Sequence, residues 1–272
     1  MHKNTLIILV SACIVIILIA GCTSTSSVNT TLSAPTPIQT TNAVPTSTQI
    51  PVTTTTPTTE TLKQSIDNQL AAVNSSNPIW REAYQTFLNI NYTAYSHVPY
   101  TVNETAGIYE FDCHGFVGYV LKNSDPAMYQ EMGGGVDPVL LETYVPYFTS
   151  LDIKAPNDVG WVKVAHPIDL KPGDICFWRP PDPGHVFVIA GAPQVNPNKN
   201  DEVLVRVIDS VPPDLSHSHD SRKNSDLGGL GSGIIGFMTD DQGNPVAFNW
   251  KGGVNTPDGP TKATILCGRM NQ

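Results

Sequence analysis

Positive charge is scarce in this sequence. Lys and Arg number 15 against 24 Asp and Glu in 272 residues, a formal charge of −9. No basic patch offers the electrostatic footprint that nucleic-acid binding requires, so nucleic acid is excluded as a partner. Charged residues of either sign are few, 14% of the chain, whereas proline is abundant at 23. With 40% hydrophobic residues, that balance fits a packed domain on a cell surface better than a cytosolic one. Cysteines number only five, and no internal repeat is visible. A comfortable membrane span is missing as well. The apolar run from Leu6 to Ile19 falls short of the about 20 residues a spanning helix needs, but behind Lys3 it has the build of a secretory signal-peptide core.

That run ends in Leu18-Ile19-Ala20-Gly21-Cys22, which resembles the lipobox of lipoprotein signal peptides. Residues 1–21 are then removed and Cys22 carries a lipid anchor on the outer face of the membrane; an uncleaved N-terminal membrane helix is the alternative. Residues 22–59 are almost wholly Thr, Ser, Pro, Ala, Val, Asn and Gln. Such a segment cannot bury enough surface to offset its ordering entropy, and reads as a tether. The folded domain is expected over residues 60–272.

Within it, Leu62, Ile66, Leu70 and Val73, and after Pro78 Trp80, Tyr84, Phe87 and Leu88, recur at helical spacing. A third helix is expected from Cys113 to Lys122, with Asp112 capping its first turn. Short strands follow: Val162 to Val164, Asp174 to Trp178, His185 to Ile189, Val203 to Ile208, Ile234 to Met238 and Val246 to Trp250. Helices first and strands later describe an α+β fold, N-terminal helices packed on an antiparallel sheet.

Removal of Cys13 and lipidation of Cys22 leave Cys113, Cys176 and Cys267, an odd number, so at least one thiol is unpaired. Whether Cys176 and Cys267 pair is open. Cys113 stands where a loop enters a helix, and the unpaired N–H groups there favour a thiolate; the plainer reading is a small buried apolar residue. A thiol nucleophile needs a base, and His185, at the start of an apolar strand, is the candidate. Asp209 ends the next strand, an antiparallel neighbour of the first, and is placed to orient the imidazole. It serves equally as a turn residue before Pro212-Pro213.

Asp112-Cys113-His114-Gly115-Phe116-Val117 resembles the Asp-Cys-Ser-Gly-Phe-Val signature of the NlpC/P60 cysteine peptidases. Leu170-Lys171-Pro172-Gly173-Asp174 followed by Gly184-His185-Val186 is similar to that family's second block. The resemblance covers about Glu110 to Ser210. It implies a papain-like fold, Cys113 as nucleophile, His185 as base and then acid, Asp209 at the third polar position and Tyr109 lining the cleft. It further implies hydrolysis of an amide in a cell-envelope peptide through a thioester; a monomer without a cofactor is expected. His114 replaces the family's usual Ser, and Asp209 its more frequent His.

Beyond the triad, Ser216 to Arg222 places His217, His219, Asp220 and Arg222 in one polar loop before a glycine-rich run. With Tyr109 and His114, the residues His217, His219 and Arg222 form the expected substrate-binding set. A zinc site from His217 and His219 with Asp214 or Asp220 is a weaker reading, because imidazoles two residues apart in a polar loop usually form none. Two rivals stay open: a binding protein for envelope polymer that does no chemistry, and a metal-dependent hydrolase using His185, His217 and His219. Asp240 to Pro245 reads as a hairpin turn, with calcium a weaker option.

Overall fold

The computed structural model describes residues 76–133, 138–152, 160–179, 184–222 and 226–271, all within the unit Thr55–Gln272. The signal peptide, Cys22, the tether, the helix expected over residues 62–73 and the turn at 180–183 lie outside the described residues. Among the described residues no helix is long and apolar enough to cross a membrane.

The described chain opens with α1 (Pro78–Leu88). Asn77 caps it by accepting the Trp80 N–H at 3.2 Å, and Pro78 occupies the first turn, where a missing N–H costs nothing. Three strands follow, β1 (Tyr92–Tyr95), β2 (Thr101–Asn103) and β3 (Ile108–Phe111), forming a small sheet with β3 in the middle. Helices α2 (Cys113–Ser124), α3 (Pro126–Gly133) and α4 (Leu141–Ser150) come next, and then the main body of strands. These are β4 (Gly160–Val164), β5 (Ile175–Arg179), β6 (His185–Ile189), β7 (Gln194–Asn196), β8 (Lys199–Val211), β9 (Gly229–Thr239), β10 (Pro245–Asn249), β11 (Thr261–Lys262) and β12 (Thr264–Asn271).

The nine strands β4 to β12 make one sheet in the order β11-β10-β9-β8-β6-β5-β12-β4, with β7 paired to β8, and every pairing in it is antiparallel. Although β5 and β10 are four places apart in that order, Trp178 of β5 stacks on Phe248 of β10 with ring centroids 3.7 Å apart. Only a curled sheet brings them together. Its concave side is filled by Phe187, Ile189, Val203, Val205, Val207, Ile235 and Phe237. On the opposite side, Val186, Val188 and Ile208 meet Phe116, Val117, Val120 and Leu121 of α2. Each of these fully buried aliphatic or aromatic side chains contributes roughly 1.5–3 kcal/mol.

The expected α+β, papain-like class, with N-terminal helices packed on a sheet, is therefore corrected. Among the described residues strand makes up 39% against 24% helix, and the sheet is a curled half-barrel. Sequence patterning found the strand His185–Ile189 whole but only the middles of the two longest. The expected Val203 to Ile208 is the core of a 13-residue strand, and Ile234 to Met238 that of an 11-residue one. The polar lead Lys199-Asn200-Asp201-Glu202 and the glycines of Gly229 to Gly233 carry turn signals although they lie in strands. The Asp240 turn is a hairpin connection: its carboxylate accepts the Gln242 and Asn244 N–H groups at 3.0 and 2.8 Å.

Cys176 and Cys267 face each other across β5 and β12 and are joined in a disulfide. Cys113 is the free cysteine among the described residues.

Candidate active site

The first residue of α2 is Cys113, and the reason is Asp112. Its backbone is extended (φ −88°, ψ −174°), and its Oδ1 accepts the Gly115 N–H at 2.8 Å, closing the helix start. The Tyr100 hydroxyl donates to the same oxygen at 2.9 Å, and His97 Nδ1 lies 2.9 Å from Oδ2. A Cβ on Gly115 would strike the Tyr100 ring at 2.5 Å, so this glycine admits a tyrosine of the protein itself. Asp112 thus fixes both the helix end and the wall beside it.

His185 and Asp209 arrive from the sheet. Antiparallel pairing of β6 with β8 sets Ile189 opposite Val207, and two-residue alternation places His185 and Asp209 on that same concave face. At the mouth of the half-barrel, His185 Nε2 lies 2.8 Å from Asp209 Oδ2. The Cys113 sulfur lies close enough to His185 and to the Tyr95 hydroxyl to raise the pKa of both. Cys113 belongs to the helix side of the sheet and His185 to the concave side, so the two meet around its rim. Thiol, imidazole and carboxylate form a chain.

The far end of that chain is clamped. Asp209 Oδ2 also lies 2.8 Å from His217 Nε2, and Arg222 reaches Oδ1 and, at 2.7 Å, the Asp209 carbonyl. Arg222 further holds both Asp220 oxygens, at 3.0 and 2.8 Å, and the Gly229 carbonyl at 2.8 Å. Space for this comes from β9. A Cβ on Gly231 would sit 2.6 Å from Arg222 Cγ, and one on Gly233 would sit 2.4 Å from His217 Cβ. The glycine-rich run leaves β9 bare at Gly231 and Gly233, so that Arg222 and His217 can lie over it.

Burial alone would raise the Asp209 carboxyl, but His217, Arg222 and His185 hold it well below the usual carboxylate range. Burial would also lower the His185 imidazole; the Cys113 sulfur and Asp209 outweigh it and raise it above 6.5. The Tyr95 hydroxyl is pushed up, first by burial and then by Cys113 and Asp112. It stays a proton donor beside the sulfur. His114 moves the other way, lowered by burial against the pull of Asp112 and Glu142.

The expected substrate-binding residues divide. Tyr109 is a core residue, 2% exposed, whose hydroxyl accepts from Asn89 Nδ2 at 2.9 Å. The side chains of His217 and Arg222 are 0% and 4% exposed, so they have no surface to offer a ligand. His114 is partly exposed beside Cys113, and His219 is exposed with φ 51°. Among the described residues no group of three or more His, Cys, Asp or Glu is arranged to hold a metal ion. His219 does not join His185 and His217.

Sequence reasoning did not reach Tyr95, Tyr100, Ser210 or Trp250. Ser210 Oγ donates to the Phe111 carbonyl at 2.8 Å, and the Trp250 ring stacks on His217 at 5.7 Å. Tyr95 sits in Tyr92-Thr93-Ala94-Tyr95, whose polar and aromatic mix is a faint strand signal; Ser210 and Trp250 act through contacts that no local pattern announces.

No family model matches the chain, and no solved structure matches it. At 25% identity over 174 residues the chain is similar to an uncharacterized protein of Acanthamoeba polyphaga mimivirus, covering 54% of this chain and 71% of that one.

Proposed function

We propose that this domain is a cysteine hydrolase that cleaves an amide bond, with Cys113 as nucleophile, His185 as base and then acid, and Asp209 holding the imidazole. The observation that carries the reading is the position of His185 between the Cys113 sulfur and the Asp209 carboxylate. His185 takes the thiol proton, and the sulfur attacks the carbonyl carbon. The resulting oxyanion is met by the N–H at the head of α2, with the Tyr95 hydroxyl close by. Collapse forms a thioester while His185 returns its proton to the departing amine. A water then attacks the thioester, giving its proton to His185 and releasing the acid and the thiol. The likeness to NlpC/P60 peptidases enters here as chemistry carried by two motif blocks, without their fold.

The substrate we propose is a peptide of the cell envelope, reached from a lipid anchor at Cys22 on the outer face of the membrane. The Cys176–Cys267 disulfide supports an oxidising compartment outside the cytosol.

A second reading, a tethered binding protein that does no chemistry, is favoured by the 3% exposure of Cys113. One experiment separates the two. The full chain is treated with iodoacetamide at neutral pH, alkylated cysteines are mapped by mass spectrometry, and amine release is followed on a panel of wall and surface peptides. The hydrolase reading expects alkylation at Cys113, loss of release, and no turnover by Cys113→Ala. Turnover surviving in Cys113→Ala would overturn it, and an unreactive Cys113 with no release would favour the binder.

A further inference from the structure

His217 is enclosed on every side, and both of its ring nitrogens meet groups that can only accept. Nδ1 lies 3.1 Å from the Trp250 carbonyl and Nε2 lies 2.8 Å from Asp209 Oδ2. A neutral imidazole carries one N–H and one bare lone pair. Either tautomer would press that lone pair against an oxygen inside the protein, where an unsatisfied polar group is costly. A flipped ring would lose both contacts.

The geometry points to His217 as a permanently doubly protonated imidazolium that positions Asp209 for His185. This inference rests on the hydrolase reading for its purpose, though not for the protonation itself. The charges around the ring agree. Asp209 meets the ring from β8, Arg222 of its own segment holds the other oxygen of that carboxylate, Asp220 accepts the His217 backbone N–H, and His185 lies across the shared oxygen from β6. His217 and Arg222 against Asp209 and Asp220 make a closed, neutral quartet. The remaining thiol and imidazole, Cys113 and His185, are then free to exchange one proton without altering the charge behind them. Two cations on the carboxylate keep it ionised, and Nε2 of His217 holds Oδ2 where His185 needs it. His217 touches no reacting atom and is a positioning residue.

The test has two arms. In the full chain labelled with ¹⁵N-histidine, both His217 ring nitrogens should give protonated-type signals from pH 6 to 8, assigned by their loss in His217→Gln. A bare-nitrogen signal from either one overturns the inference, whatever the protein hydrolyses. In the kinetic arm, His217→Gln should lower kcat at least tenfold, leave KM within twofold, and move both limbs of the pH profile to higher pH, because a buried positive charge has gone. An unshifted profile with unchanged kcat overturns the positioning role. Should His217→Gln fail to fold, Trp250 and Asp209 contacts are read instead in the wild-type spectra, as through-bond couplings from both ring N–H groups. Failure of the hydrolase reading looks different, since Cys113→Ala would retain turnover while the His217 signals stay as expected.

Discussion

The Ser210 hydroxyl donates a 2.8 Å hydrogen bond to the carbonyl of Phe111, and it joins the two halves of the site. Ser210 follows Asp209 on β8, and Phe111 stands two residues before Cys113. Successive strand residues point to opposite faces, so β8 presents Asp209 to the concave side and Ser210 to the segment that leads into α2. The spacing of thiol and carboxylate is therefore set by one short stretch of backbone. Ser210→Ala should loosen that spacing, lowering kcat by about tenfold while costing about 1 kcal/mol in stability. An unchanged kcat at a temperature where the variant stays folded would count against it.

Asp209→Asn tests the carboxylate itself. An amide in its place still accepts one hydrogen bond but no longer stabilises the His185 imidazolium, and kcat should fall about 10²–10⁴-fold. The variant also removes one of the two carboxylates that hold the buried Arg222, leaving it Asp220 alone, and breaking a buried pair in this way costs up to about 3–5 kcal/mol. Urea unfolding and peptide hydrolysis, measured on the same preparation, should show both losses.

Gly231→Ala and Gly233→Ala place a methyl where Arg222 and His217 lie, at 2.6 and 2.4 Å. Overpacking of this kind costs about 1–3 kcal/mol. The sharper expectation is kinetic: both variants should lose turnover although neither residue lies in the thiol-imidazole pair. A variant that keeps full activity with lowered stability would show that the clamp tolerates displacement.

Stability should depend on pH from two directions. His185 is held above 6.5, so its contribution is full below about pH 6.5 and lost as pH rises through the folded value. Asp209 is held below 3.8, so its contribution is present above about pH 3.8 and lost as pH falls through its folded value. The urea midpoint should therefore be highest between those two limits. Because Cys113 is the largest influence raising His185, Cys113→Ala should lower the His185 titration midpoint seen by NMR. A midpoint that stays or rises would contradict the contact.

The disulfide closes a separation of 91 residues. Chain entropy assigns such a crosslink about 4–5 kcal/mol, so a Cys176→Ala, Cys267→Ala double variant should melt well below the wild type. Its kcat at a temperature where it remains folded should be unchanged, as the bridge joins β5 to β12 away from the sulfur.

Much of the site was legible before the fold was. Asp112-Cys113 at a helix start, His185 opening an apolar strand and Asp209 closing its neighbour each follow from local periodicity, and the structure brings the three together. The half-barrel was not legible, because curl is a property of nine strands at once and the Trp178–Phe248 contact joins residues 70 positions apart in the sequence. His217 and Arg222 read as a polar loop for a related reason. What buries them is missing volume on β9, and glycine written in a sequence signals a turn more often than a recess. The small β1–β3 sheet, with its three- and four-residue strands, gives too short a pattern for alternation to register.

Those recesses change which positions of the chain are free to vary. An exposed or half-buried strand ordinarily accepts many residues at each place, yet along the short rank of Gly231 and Gly233 on β9 nothing larger than hydrogen fits. In a saturation scan that rank would stand out as intolerant as the nucleophile, though it contributes no functional group, and the substitutions rejected there would be judged by bulk alone, never by polarity.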